Sequence, residues 1–142
     1  MTLKEYREYF RVSYNQFITQ HNIQDSQISK NVRYKKLTDV DRIELGNNQW
    51  LYFKDGELKM IYISDEALAK KIWTEFKSIA ASTTEETVRS RAGKTSNQIV
   101  FAEQGITVST HKDSVDFIEI YPPQSLQNYL ANIYRDPGPF IR

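Results

Sequence analysis

The chain has 142 residues, 19 of them basic and 18 acidic, for a formal charge of +1. Such a balance argues against a general polyanion binder, which carries a basic excess, and against a strongly acidic mimic of nucleic acid. The absence of cysteine excludes disulfides, thiol catalysis and thiolate metal sites.

The first predicted element is a helix over residues 2–20. Thr2-Leu3-Lys4-Glu5 fits a capping box, in which the Thr2 hydroxyl meets the Glu5 amide and Glu5 reaches back. Leu3, Tyr6, Phe10, Tyr14 and Phe17 recur at spacings of three and four, an apolar stripe suited to packing on a sheet. His21-Asn22 ends it. Residues 22–40 are polar, with Ile23, Ile28, Val32 and Leu37 scattered among them, and are expected to form a solvated loop. Lys30, Arg33, Lys35 and Lys36 make a basic patch within it, partly offset by Asp39 and Asp41.

Residues 42–45 alternate as a short strand, and Gly46-Asn47-Asn48 turns. Residues 49–53 are aromatic and apolar, a strand, and Lys54-Asp55-Gly56 is a hairpin turn of the Asp-Gly kind. The partner strand covers residues 58–63. Ser64 is the expected cap of a second helix, with Asp65 and Glu66 in its first turn, where the helix dipole favours acids. Leu68, Ile72, Phe76 and Ile79 form its stripe, and residues 80–84 end it.

Residues 88–121 hold the densest strand signals. Arg89, Arg91 and Lys94 form a cluster with no acid between Glu86 and Glu103. A β-branched and aromatic strand follows over 97–102. Glu103-Gln104-Gly105 turns, and Ile106, Val108 and Thr110 alternate with polar neighbours in the next strand. A third strand over 115–121 ends at Pro122-Pro123. A last helix is expected over 124–134, with a proline near its first turn and Leu126, Leu130 and Ile133 facing inward. The tail from Arg135 to Pro139 is extended, with Phe140 and Ile141 docked. Asn48-Gln49 stands eight residues before Gly56 and Asn97-Gln98 eight before Gly105, a match that internal duplication or chance explains equally well.

Residues 1–142 therefore predict a single α+β domain, with an antiparallel sheet of about five to seven strands and three helices on one main face. The order is α-βββ-α-βββ-α. The core is expected to include Phe10, Phe17, Trp50, Leu51, Ile61, Ile72, Phe76, Val100, Ile106, Val108, Phe117 and Leu130. No apolar run approaches the ~20 residues of a membrane span, and the charged start is not a signal peptide, so a cytoplasmic protein is expected.

No catalytic or cofactor signature emerges. Ala92-Gly93-Lys94-Thr95-Ser96 is like the end of a phosphate-binding loop, but Val88 stands where that loop needs its first glycine, and a strand follows where a helix should. His21 and His111 are the only histidines, too few and too distant for a convincing metal set. His111 reads as a turn residue beside Lys112 and Asp113. Glu119 stands out. In a regular strand it shares a face with Val115, Phe117 and Tyr121, so either a bulge near Phe117 resets the register or a carboxylate lies against the core. Arg89 or Arg91 is the expected partner, and a general acid or base with a shifted pKa is the alternative. Arg89, Arg91, Lys94, Glu119 and His111 are the candidate binding residues. No catalytic residue, metal ligand or cofactor is assigned.

The run from Arg89 to Ser96, the Gly105 hairpin, the Phe117-Ile118-Glu119-Ile120 strand and the closing Asp136-Pro137-Gly138-Pro139-Phe140-Ile141-Arg142 resemble small bacterial α+β proteins encoded beside polymorphic toxins, the immunity-protein type. The resemblance covers about the last third of the chain. It implies a cytoplasmic inhibitor that neutralises one cognate toxin by binding it. Many inhibitors of nucleases are strongly acidic, and this chain is not, so the resemblance implies a target of mixed charge or contact through shape and tyrosines. The alternative is a small enzyme or ligand binder with a pocket between sheet and helices. Nucleic-acid binding through the basic cluster, which would weaken steeply with salt, is the least favoured reading.

Overall fold

The computed structural model describes residues 1–79 and 85–137. The expected ending of the second helix over 80–84 and the docking of Phe140 and Ile141 lie outside them. Among the described residues, four α-helices and eight strands build one antiparallel sheet, in the spatial order β1-β2-β3-β4-β8-β7-β6-β5. Each group of four consecutive strands is a meander: β1 (Ile28–Tyr34), β2 (Leu37–Gly46), β3 (Gln49–Lys54) and β4 (Glu57–Ile63), then β5 (Glu86–Arg89), β6 (Asn97–Phe101), β7 (Ile106–His111) and β8 (Ser114–Ile120). The meanders join where β4 pairs β8, with Ile61 opposite Ile120 and Tyr62 opposite Glu119.

The expected order thus holds with four strands, not three, in each half. The two additions are the outermost strands, which propensity describes worst. β1 lies in the segment expected to be a loop. It is polar, two bulges interrupt its pairing with β2, and Asn31, Lys35 and Asp39 take positive φ. β5 is a four-residue strand carrying Arg89. The Asn-Gln match does not follow the meanders: its first copy opens the third strand of one, its second the second strand of the other.

The first helix is also divided. α1 (Leu3–Glu8) passes into a 3₁₀ turn at Tyr9–Arg11, Val12 is extended, and Ser13 caps α2 (Tyr14–Gln20) with a second capping box to Gln16. Both helix starts use the same local chemistry, a hydroxyl on the third amide and a side chain returning to the cap. α3 (Glu66–Ile79) is capped by Asp65, whose Oδ1 accepts from the Leu68 amide at 2.9 Å, and not by Ser64. α4 (Leu126–Asn132) is shorter than expected and starts at Ser125, whose Oγ accepts from the Asn128 amide, so the prolines precede the helix.

Side chains alternate across the sheet, and each face has its own core. α1, α2 and α3 cover one, burying Leu51, Phe53, Ile61, Ile63, Ile106, Ile118 and Ile120 with Leu3, Phe17, Ile72 and Phe76. α4 covers part of the other, where Tyr129, Ile133 and Tyr134 pack with Met60, Val100 and Tyr121. The helices therefore lie on both faces, not on one. Phe10, Trp50 and Leu130 are only half-buried, while the other expected core residues are buried. On the α4 side no described helix covers the part of the face around Trp50 and Tyr62, and Trp50 belongs to that opening.

Candidate functional site

The β1–β2 hairpin shapes this opening. Its tip curls across the sheet and fastens to the end of α4, through the Lys36 amide to the Ile133 carbonyl (3.1 Å) and Lys36 Nζ to the Leu130 carbonyl (3.0 Å). A positive φ of 53° at Lys35 turns the hairpin, and the bulge before Tyr34 sends the tyrosine down onto the sheet. The Tyr34 ring packs on Tyr52 and Tyr62, with centroids 4.8 and 5.5 Å apart. Between this hairpin and the β5–β6 loop lies an open cleft of about 350 Å³.

Its floor and walls are aromatic: Trp50 and Tyr52 of β3, Tyr62 of β4, Phe117 of β8 and Tyr34. Trp50 and Tyr62 sit directly opposite each other across β3 and β4, with ring centroids 5.6 Å apart, and Tyr62 meets Phe117 at 5.1 Å. Arg33 and Lys35 come from the hairpin, Arg42 from β2, and Arg91 with Ala92 from the β5–β6 loop. No acidic side chain among the described residues lines the cleft. Arg42 donates to Ser29 Oγ at 3.3 Å and lies beside the Tyr52 hydroxyl. Arg33 and Arg91 are exposed and form no ion pair with any described residue.

Glu119 lies beneath this floor, fully buried. Both expected explanations of its position apply. A bulge at Asp116 shifts the register between β7 and β8, which turns Val115 toward the helix-covered core and leaves Phe117, Glu119 and Tyr121 on the other face. The carboxylate's partner is neither Arg89 nor Arg91. Lys35 Nζ sits 2.8 Å from Oε2, and the hydroxyls of Tyr34 and Tyr129 donate to Oε2 and Oε1. Gln98 closes the cluster, accepting from Lys35 at 3.3 Å and donating to the Tyr129 hydroxyl at 2.6 Å. Burial, and then the neighbouring carboxylate, hold the Tyr34 and Tyr129 phenols well above their ordinary pKa, while Tyr62 is pushed up to about 12 by the same two causes. Three donors hold Glu119 in place, and with no solvent exposure it has no access to a substrate for general acid or base work. The cluster instead binds the hairpin tip to β8 and α4.

A second polar chain sets the β5–β6 loop. Asp116 accepts from the Ser109 hydroxyl at 2.9 Å, Ser109 shares a hydrogen bond with buried Ser90, and Ser90 Oγ accepts from the Ala92 amide at 3.1 Å. This holds the start of the loop that presents Arg91.

Of the residues singled out by sequence, Arg91 lines the cleft and Glu119 supports it from below. Arg89 points elsewhere, its Nη1 3.1 Å from Asp136. His111 Nδ1 pairs with Thr95 Oγ1 at 2.8 Å. Neither these two nor Lys94 lines the cleft. Sequence reasoning missed Arg33, Lys35, Arg42, Trp50 and Tyr62 as a group. The only signal was the basic patch at residues 30–36, set aside with its segment as a loop. This cleft lies on a part of the sheet that the described helices leave open, and a further concavity, lined by Arg7, Phe10, Gln104 and Tyr121, lies where helical segments meet the sheet. Among the described residues no group of three or more His, Asp or Glu is placed to hold a metal, and no helix is long and apolar enough to cross a membrane. No family model matches the chain, and neither a curated protein nor a solved structure matches it.

Proposed function

We propose that this chain is a protein-binding module, an immunity-type inhibitor that neutralises a toxin by direct contact, and that the aromatic cleft is its contact surface. The observation that carries the reading is the composition of the cleft: tryptophan, tyrosine and arginine together, on a part of the sheet that no described helix covers. These residue types dominate binding hot spots, because each joins a large apolar area to a polar handle. The surface is also pre-organised. Its floor is regular sheet, and the Glu119 cluster and the Ser90–Ser109–Asp116 chain hold its two rims, so little ordering cost falls on association.

The test is inhibition of the toxin encoded beside the chain's gene. The native chain is expected to block toxin activity at about equal stoichiometry, and a Trp50→Ala/Tyr62→Ala variant to lose that block while remaining folded. Undiminished inhibition by the variant would remove the cleft from the reading. A second reading is a site for a small planar anion, favoured by the concavity and by two exposed guanidiniums beside aromatic rings. Saturable binding of such a compound, with no effect on any toxin, would select it.

A further inference from the structure

The identity of the cleft's occupant can be taken further, on the footing that the cleft is a contact surface. We infer that it receives an acidic segment of the partner protein, one that carries carboxylates on either side of an apolar side chain.

The charge pattern is local. The whole chain is almost neutral at +1, yet the cleft holds three arginines and no acid among its described lining residues. Nearby carboxylates offset them only in part. Glu119 is buried under the floor and ion-paired with Lys35, and Asp116, which accepts from Ser109, is one negative charge against three guanidiniums. Lys35 is correspondingly committed: its side chain is 7% exposed and ion-paired at 2.8 Å. The charge left to offer is therefore guanidinium, from Arg33 on one rim and Arg91 on the other, with Arg42 tethered between β2 and Ser29. Guanidinium forks grip carboxylates bidentately, which makes two opposed arginines a reader of two acids and not of one point charge. Between the rims lie Trp50, Tyr62 and Phe117 in mutual ring contact, a surface that an uncharged polar chain would desolvate without return. An apolar side chain between the two acids satisfies it.

Two other occupants fit less well. A nucleic-acid strand needs a basic track that continues from phosphate to phosphate, and a chain with 19 basic and 18 acidic residues has little basic excess from which to build one. A small ligand is normally enclosed over most of its surface, whereas this cleft lies open along one side.

Trp50 makes the experiment direct, because the chain has two tryptophans and the other, Trp73, stacks on Phe76 in the opposite core. In a Trp73→Phe background, Trp50 emission reports on the cleft alone. The probes are a capped Glu-Phe-Glu-Phe-Glu peptide, its Lys-Phe-Lys-Phe-Lys counterpart, a single-stranded oligothymidylate and adenosine monophosphate. The acidic peptide is expected to titrate the emission, to weaken with added salt, and to bind about ten-fold or more tighter than the lysine peptide. Arg33→Ala and Arg91→Ala should each weaken it about ten-fold, the effect of one charge-assisted contact, at an unchanged melting temperature. Equal binding of both peptides, tighter binding of either nucleotide probe, unaltered affinity in the arginine variants, or no binding at all overturns the inference. Inhibition of the toxin separates this failure from that of the underlying reading. If Arg33→Glu/Arg91→Glu abolishes inhibition while the acidic peptide fails to bind, the cleft meets its partner through other chemistry. If that variant still inhibits, the cleft is not the contact surface.

Discussion

Lys35→Met removes the only cation that the described residues place on a carboxylate with no solvent exposure. The Lys35 side chain is 7% exposed and that of Glu119 0%, so water can replace little of the lost interaction. Breaking a buried pair from one side leaves the other charge uncompensated and costs about 3–5 kcal/mol. The two tyrosine hydroxyls still donate to Glu119, which places the expected loss near the lower figure. For a chain of this size it corresponds to a fall of roughly 10 °C in melting temperature. Removing both charges is a different perturbation. In Lys35→Met/Glu119→Gln the amide can still accept from one tyrosine and donate to the other, and no net charge stays buried. The double variant should therefore be more stable than Lys35→Met alone, with a coupling of about 2 kcal/mol. Urea unfolding followed by circular dichroism measures all four corners of the cycle. The reasoning fails if Lys35→Met lies within about 1 kcal/mol of the native chain, or if the two substitutions simply add.

The same cluster sets an alkaline limit. Tyr62 moves from 10.0 to about 12, and Tyr34 and Tyr129 are also raised well above their ordinary value, so the folded chain keeps protons that the unfolded chain releases above pH 10. Their contribution is complete below pH 10 and is lost as pH rises through the folded values. Stability measured by urea unfolding should fall steadily from pH 10 upward, less steeply in Tyr62→Phe, and a flat profile would contradict this. Gly105→Ala should be severe: φ is 68°, and an added Cβ would lie 2.2 Å from the Tyr121 carbonyl oxygen. The left-handed backbone alone costs about 1–3 kcal/mol, so Gly46→Ala, with positive φ but open space, should be clearly milder in the same assay. Ser13→Ala tests the divided first helix. It should cost about 1 kcal/mol as a lost cap, whereas in one unbroken helix it would stabilise.

What the sequence determined by itself was local. The Asp55-Gly56 turn takes positive φ at both residues, which suits the twist of the β3–β4 hairpin and pins it within two residues. The apolar, aromatic and β-branched runs of β3, β4, β7 and β8 reflect burial of those strands and were legible for that reason, as was the amphipathic face of α3. The two cap motifs that bound α1 and α2 were both present, but the continuous aromatic stripe masked the break at Val12. Tertiary structure decided the rest. β1 exists because β2 offers it a pairing edge, and a strand stabilised mainly by its partner carries little pattern of its own. The bulge at Asp116 is a property of how β7 and β8 pair, and it alone sends Val115 to one core and Glu119 to the other. The choice of Lys35 over Arg89 or Arg91 joins segments 85 residues apart between Tyr34 and Glu119. It follows from the hairpin tip folding across the sheet. The cleft is wholly of this kind, since Arg33, Arg42, Trp50, Tyr62 and Arg91 converge only after β4 has paired with β8. Sequence spacing encodes which face a side chain takes within its own element, but only the packing of elements brings faces together.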